Sequence, residues 1–305
     1  MKAIQIHSYG NSGELKLEDV PNPSIRGNEA LIRVRAAGVN PFDWKLREGY
    51  FKDWIPASFP LTLGVDFAGD IAQVGKEVSD FRVGDRVFGF ASGAYSEYST
   101  VPEKDLVHMP RTVDHDTAAS LPTPGVTAYQ LVLDAVRATK GLRVLVHGAA
   151  GSVGALAVQL ARLQGARVFA TASGRDTEYL KSLGVEQVID YRTERFDEKL
   201  KDLDAVIDLV GGETLARSYA VLKPGGIVVS AAGTPDSAEA ERRRIRAQHF
   251  VAQRDPSHLA HLARLVDQGV LKPRVGRVLP LAEARQAQDL SQKGSAGGKI
   301  VLHVA

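Results

Sequence analysis

From Leu142 to Gly165 the chain reads LRVLVHGAAGSVGALAVQLARLQG, and this stretch constrains the fold more than any other. Leu142–His147 is a short apolar run bounded by Gly141 and Gly148. A strand of that kind is buried on both faces and belongs in a parallel sheet. Beyond a glycine turn, Val153, Leu156, Ala157, Leu160 and Leu163 recur at helical spacing. A second apolar run, Arg167–Ala172, begins directly after Gly165. Strand, turn, helix and strand within about thirty residues make one βαβ crossover.

The turn holds Gly148, Gly151 and Gly154. Set against the dinucleotide fingerprint G-x-G-x-x-G, Ala149 replaces the first glycine and Gly151 and Gly154 match the other two. Gly151 lets a pyrophosphate approach the backbone, and Gly154 lets the helix pack closely on the strand. The N–H groups of Ser152 and Val153 would face the phosphates at the positive end of the helix dipole. A nucleotide site is the expectation; a glycine turn that binds nothing is the alternative.

A chain of 305 residues exceeds what one core usually organises, so two domains are expected. With 38 basic and 36 acidic side chains the charge is balanced, and the arginines are dispersed except at Arg242–Arg244 and Arg246, read as a solvated helix face. Nucleic acid is therefore not an expected partner. There is no cysteine, which excludes disulfides and cysteinyl zinc sites. No apolar run reaches membrane-spanning length, and the start MKAIQIHSYG has no apolar signal core. A cytoplasmic protein without membrane partners is the expectation.

Residues 1–115 read as β-rich, with runs at Ala3–Ile6, Leu15–Leu17, Ala30–Val34, Gly69–Val74 and Arg86–Phe88 and a helical piece at Pro41–Arg47. Residues 116–252 form the nucleotide domain, helical at first and then alternating. Its six strands are expected near 143–147, 167–172, 186–189, 204–209, 226–230 and 248–252, the number in a full doubly wound sheet. Residues 253–305 hold two amphipathic helices, Ser257–Gln268 and Leu281–Gln292, and a last strand, Gly298–His303.

The tip of the second strand reads Ala172-Ser173-Gly174-Arg175. NAD sites usually place a carboxylate there for the ribose 2′-hydroxyl. A hydroxyl and a guanidinium suit a 2′-phosphate instead, so NADPH is the expected cofactor. Asp176 is read as a helix-start residue for Thr177–Ser182.

Several motifs occur together: Ala37-Gly38-Val39-Asn40-Pro41-x-Asp43, Leu63-Gly64-Val65-Asp66-Phe67-Ala68-Gly69, Val83-Gly84-Asp85-Arg86-Val87, Gly93-Ala94-Tyr95-Ser96-Glu97-Tyr98, and Gly298-Lys299-Ile300-Val301-Leu302. In this order, with the glycine turn, the chain resembles zinc-free medium-chain dehydrogenases/reductases of the quinone oxidoreductase (zeta-crystallin-like) family along essentially its whole length. The resemblance implies an α/β protein: a GroES-like β-barrel catalytic domain (1–115 and 253–305) and a Rossmann domain (116–252), with the active site between them. It also implies that Thr127, Gly148, Ala150, Val210, Ala231, Gly233 and Phe250 line the cofactor site, with Tyr191 near the 2′-phosphate.

The departures carry the chemistry. Zinc alcohol dehydrogenases of this superfamily have a cysteine where Asn40 stands and a His-Glu pair at Val65-Asp66. Asn40 and Val65 are poor zinc ligands, Asp66 alone cannot hold the ion, and His258 and His261 are read as helix-face residues. No metal is expected. The activity implied is hydride transfer from NADPH to a quinone or other conjugated carbonyl. Reduction of an enone or 2-enoyl thioester, and an NADPH-binding regulatory or structural role, remain open. Tyr50 is the first candidate donor to the acceptor oxygen and Asn40 the second; Tyr50 could equally be an apolar wall shared with Phe51 and Trp54, and Asp43 is read as a loop brace.

Val228–Ser230 and His249–Ala252 read as the final strands of the nucleotide sheet, leaving an open edge. The expectation is a homodimer paired through residues 245–252.

Overall fold

The computed structural model describes residues 1–305 except Pro56 and Ser295. The chain first lays down β1 (Lys2–Ile6), β2 (Lys16–Asp19), β3 (Glu29–Val39), α1 (Pro41–Arg47), β4 (Leu61–Thr62), β5 (Asp66–Val74), β6 (Arg86–Phe90), β7 (Tyr98–Pro102), β8 (Leu106–His108) and α2 (His115–Ala119). After α3 (Pro122–Tyr129) comes the alternating stretch: β9 (Arg143–His147), α4 (Ser152–Leu163), β10 (Arg167–Ala172), α5 (Thr177–Ser182), β11 (Gln187–Asp190), α6 (Phe196–Lys199) and β12 (Leu203–Asp208). It continues through α7 (Gly212–Ser218), β13 (Leu222–Ser230), α8 (Ser237–Arg242) and β14 (Arg246–His249). The chain closes with α9 (Pro256–Asp267), β15 (Val275–Pro280), α10 (Ala284–Lys293) and β16 (Lys299–His303).

Two compact units result, Met1–Thr123 with Arg254–Ala305, and Pro124–Gln253. The first is the GroES-like unit. Its larger sheet runs β15-β16-β3-β5-β6-β8 with β7 also on β3, and a small sheet runs β2-β1-β4. Its core gathers Ile4, Ile32, Phe67, Val87, Tyr95 and Leu302. Helix α2 packs on β3 and β5, which draws residues beyond 115 into this unit. β15 was not legible: it is a half-exposed edge strand, where no apolar face is demanded.

The second unit is the doubly wound α/β domain, with six parallel strands in the order β11-β10-β9-β12-β13-β14. β9 is buried from Val144 to His147, as a strand covered on both faces must be. Helix α4 buries Gly154–Ala161 against β9 and β10. The sixth strand lies two residues earlier than its apolar run suggests. Arg246–His249 pairs with β13, and the apolar Val251 lies beyond it in solvent.

Candidate active site

In the nucleotide unit, the β9–α4 turn is built by close backbone packing. Gly148 has φ +70°, a left-handed conformation that favours glycine. A Cβ on Gly154 would fall 2.3 Å from the Gly148 carbonyl oxygen and 2.7 Å from the Ala149 Cα. Only glycine lets α4 start so close to the strand. Gly151 is the N-cap, and no side chain caps the helix there. A Cβ on it would meet only the Gly148 oxygen, at 3.3 Å, so the space beside Gly151 is open to a ligand. The N–H groups of Ser152 and Val153 belong to this first turn, and Ala150 lies within the loop.

Two further strand tips meet this turn, ordered by a pair of residues the sequence reading missed. Buried Asp208, at the end of β12, accepts from the N–H groups of Val210 (3.1 Å) and Gly211 (3.0 Å) and from the Ser230 hydroxyl (2.6 Å). Ser230 Oγ in turn accepts from the N–H of Gly233 at 3.0 Å. The Val210 side chain lies against Gly148, 3.5 Å from where a Cβ would be. The loops carrying Val210, Ala231 and Gly233 are therefore fixed beside the glycine turn, and the N–H of Phe250 donates to the Ser230 carbonyl. Thr127 is buried in α3.

At the tip of β10, Asp176 stands at the N-cap of α5, as expected of a helix-start residue, but its side chain turns elsewhere. Asp176 makes no capping bond to α5. Its buried carboxylate accepts instead from the Ser173 hydroxyl at 3.0 Å and from Arg175 Nε at 3.5 Å. Asp190, at the end of β11, sits against Gly174, where a Cβ would fall 2.5 Å from its Oδ2. Arg175 and Tyr191 are exposed, and the Arg192 guanidinium lies 6.0 Å from the Tyr191 ring.

In the GroES-like unit, the ends of three adjacent strands converge. Asn40 follows β3, Asp66 opens β5 opposite Gly38, and Lys299 opens β16. Asn40 is buried, and its amide nitrogen donates to Asp66 Oδ2 (2.9 Å) and the Gly38 carbonyl (3.4 Å), while its oxygen accepts from Lys299 Nζ (2.5 Å). In this arrangement the amide hydrogens of Asn40 are directed at Asp66 and the Gly38 carbonyl. Asp43 Oδ2 accepts from the Asn40 N–H (2.8 Å) and the Tyr95 hydroxyl (2.7 Å), which braces α1. Burial pushes the Asp43 carboxyl up to about 7, against these hydrogen bonds and the nearby Lys299 charge. Tyr50 is 61% exposed and meets Trp44 edge-on at 5.8 Å. Phe51 stacks on Phe42, and Trp54 is exposed.

Residues 26–111 match the alcohol dehydrogenase GroES-like domain, and residues 183–302 match the family described as zinc-binding dehydrogenase. The quinone oxidoreductase of Rattus norvegicus is 32% identical over 322 residues, covering 99% of this chain and 97% of that protein. The chain belongs to the quinone oxidoreductase family of medium-chain dehydrogenases/reductases. The structure of the quinone oxidoreductase from Coxiella burnetii superimposes with a TM-score of 0.90 at 36% identity, covering 100% of this chain and 99% of that one. A mycobacterial structure complexed with NADPH superimposes with a TM-score of 0.90 at 28% identity, covering 99% and 100%. As a member of this family the chain is an oxidoreductase.

The zinc positions of the superfamily are brought together here by the fold, but their donors do not fit the ion. Asn40 and Asp66 bond to each other and to Lys299, Val65 offers no donor, and among the described residues no group of three or more His, Asp or Glu side chains could hold a metal. Among the described residues, no helix is long and apolar enough to cross a membrane.

Proposed function

We propose that this oxidoreductase transfers a hydride from NADPH to a quinone or other conjugated carbonyl acceptor without a metal. The observation that carries the reading is the β9–α4 turn. Its Gly151 leaves space at a helix N-terminus that no side chain caps, and its Gly154 permits no other residue. The N–H groups of Ser152 and Val153 would hold the pyrophosphate, with Gly151, whose own N–H donates to the Gly148 carbonyl, leaving room for it. Val210, Ala231 and Gly233, fixed by Asp208 and Ser230, would border the rest of the dinucleotide together with Ala150, Thr127 and Phe250. The exposed guanidinium of Arg175, with Ser173 and Tyr191, would read the 2′-phosphate. The cofactor, when bound, supplies the hydride. The protein's part is to hold the acceptor against it and stabilise the negative charge that develops on the acceptor oxygen. The Tyr50 hydroxyl is the first donor proposed for that oxygen, and the Asn40 amide, bonded here to Asp66, the second. The reading is supported by the quinone oxidoreductase relatives and by the NADPH complex among the structural neighbours.

The test is NADPH consumption with a benzoquinone, with an enone, and with neither. Quinone-dependent turnover unaffected by chelators is expected. Turnover with the enone alone would assign C=C reduction, and binding without turnover would assign a regulatory or structural role. The assembly proposed is a homodimer paired along β14, whose outer edge no strand of this chain covers among the described residues.

A further inference from the structure

Asn40 and Asp66, which stand at two of the superfamily's zinc positions, form a closed set with Lys299 from the start of β16. Lys299 and Asp66 have side-chain exposures of 2% and 0% and form an ion pair at 3.0 Å. Asp66 Oδ1 accepts from the Thr123 hydroxyl and N–H, while Oδ2 takes Lys299 and Asn40. Gly38 makes room for the lysine stem, since a Cβ there would fall 2.9 Å from Lys299 Cε and 2.4 Å from the Ala119 carbonyl oxygen. A charge this deeply buried is tolerated only when paired and hydrogen-bonded.

We propose that the Lys299 ammonium is a built-in cation that orients this corner of the sheet: it fixes Asp66 and Asn40, and through Asn40 the start of α1. Lys299 is thus a positioning residue. With 2% of its side chain exposed it acts through Asn40 and Asp66, setting the angle at which α1, and the Tyr50 segment after it, leave the sheet. Asn40 links the two, holding Lys299 with its side chain and Asp43 of α1 with its backbone N–H. The lysine is covalently part of the chain, so this cation cannot dissociate or be chelated. The inference rests on the proposed placing of the acceptor near the Tyr50 segment only for its kinetic arm.

Three variants of the full chain test it. Lys299→Met fills the same volume without the charge. It should lower kcat for NADPH oxidation by a benzoquinone roughly a hundredfold, as small misplacements of reacting groups do. The Kd of NADPH, read by its fluorescence enhancement, should stay at the wild-type value, because the glycine turn lies in the other unit. Lys299→Arg should restore part of kcat. Lys299→Ala leaves a hole, and ethylammonium chloride should raise its thermal midpoint and turnover where equal sodium chloride, ethanol or zinc chloride does not. A Lys299→Met variant with wild-type kcat and midpoint overturns the proposal, as does rescue of Lys299→Ala by zinc or by salt alone. If the single variants do not fold, the Lys299→Met/Asp66→Asn double variant decides. Recovery of folding supports the charge pairing, and continued failure overturns it. A wild-type protein that turns over no acceptor would refute the proposed function instead, leaving the thermal rescue of Lys299→Ala to decide on Lys299.

Discussion

The Ser173 hydroxyl donates to the buried carboxylate of Asp176 at 3.0 Å, so the acid beside the β10 tip competes for the group expected to read a 2′-phosphate. On the proposed NADPH reading, discrimination then falls mainly on Arg175. Arg175→Ala should weaken NADPH by about 1.5 kcal/mol, the lower end for a hydrogen bond to a charged group because the guanidinium is exposed, and should spare NADH. Asp176→Asn removes the competing charge and should shift the ratio of dissociation constants further toward NADPH. Equal losses for both cofactors in the arginine variant would rule out this role.

Two glycines of one turn should separate stability from binding. Gly154→Ala brings its methyl against backbone atoms that cannot rotate away, so α4 must shift, at a cost of roughly 1–3 kcal/mol. Gly151→Ala meets one oxygen at 3.3 Å and should melt near the wild-type midpoint while losing most of its NADPH affinity. Thermal melts and fluorescence titration of the two variants check this; a Gly151→Ala protein with full affinity would remove the phosphates from the turn.

Two buried titratable groups should bend the stability curve in opposite senses. His147 lies between Thr171 Oγ1 (2.8 Å) and Ser218 Oγ (3.1 Å), and burial lowers its pKa from 6.5 to about 4. Its neutral form favours the fold, so its contribution is complete above pH 6.5 and is lost as pH falls through 4. Asp43 is the reverse. Its pKa rises from 3.8 to about 7, so its contribution is complete below 3.8 and is lost as pH rises through 7. Each slope approaches about 1.4 kcal/mol per pH unit between the two pKa values. His147→Gln should therefore lose stability more steeply than wild type as pH rises from 4 to 6.5, and Asp43→Asn should gain it. Denaturant melts across that range decide; two variants parallel to wild type would contradict both assignments.

If the Tyr50 hydroxyl stabilises the charged acceptor, Tyr50→Phe should lower kcat about a hundredfold with KM little changed, the loss seen when one such donor is removed. A Phe variant with full kcat beside an Ala variant with raised KM would make the ring a wall and nothing more.

For the proposed dimer, the informative position is Ala247. The Phe250 N–H donates to β13, so by strand alternation the Ala247 N–H faces the open edge. Ala247→Pro should yield a monomer mass in light scattering at micromolar concentration. An undiminished dimer would refute pairing along β14. Val251, the more obvious apolar target, lies outside the strand.

What was legible in the sequence is what depends on neighbours along the chain. The β9–α4 turn and most strands of the parallel sheet announce themselves by apolar runs and glycine spacing, because burial on both faces imposes them locally. Asp176 does start α5, but an acid before a helix has two uses, a cap or a partner for a nearby hydroxyl, and spacing does not choose between them. Lys299 looked like the opening of a strand. Its meeting with Asn40 joins positions 259 apart, a juxtaposition made by sheet order alone.

That separation has a consequence for how the molecule is made on the ribosome. β16 pairs with Ala36–Val39 of β3, so this half of the strand keeps an open edge while the whole nucleotide unit is synthesised. Through that interval Asp66 lacks its ammonium partner, and the unit that starts first finishes last. Vectorial folding from the N-terminus is thus unavailable to the GroES-like unit. The inserted nucleotide unit can mature before its host closes around the final strand, which makes that late pairing the step most exposed to interception by other chains.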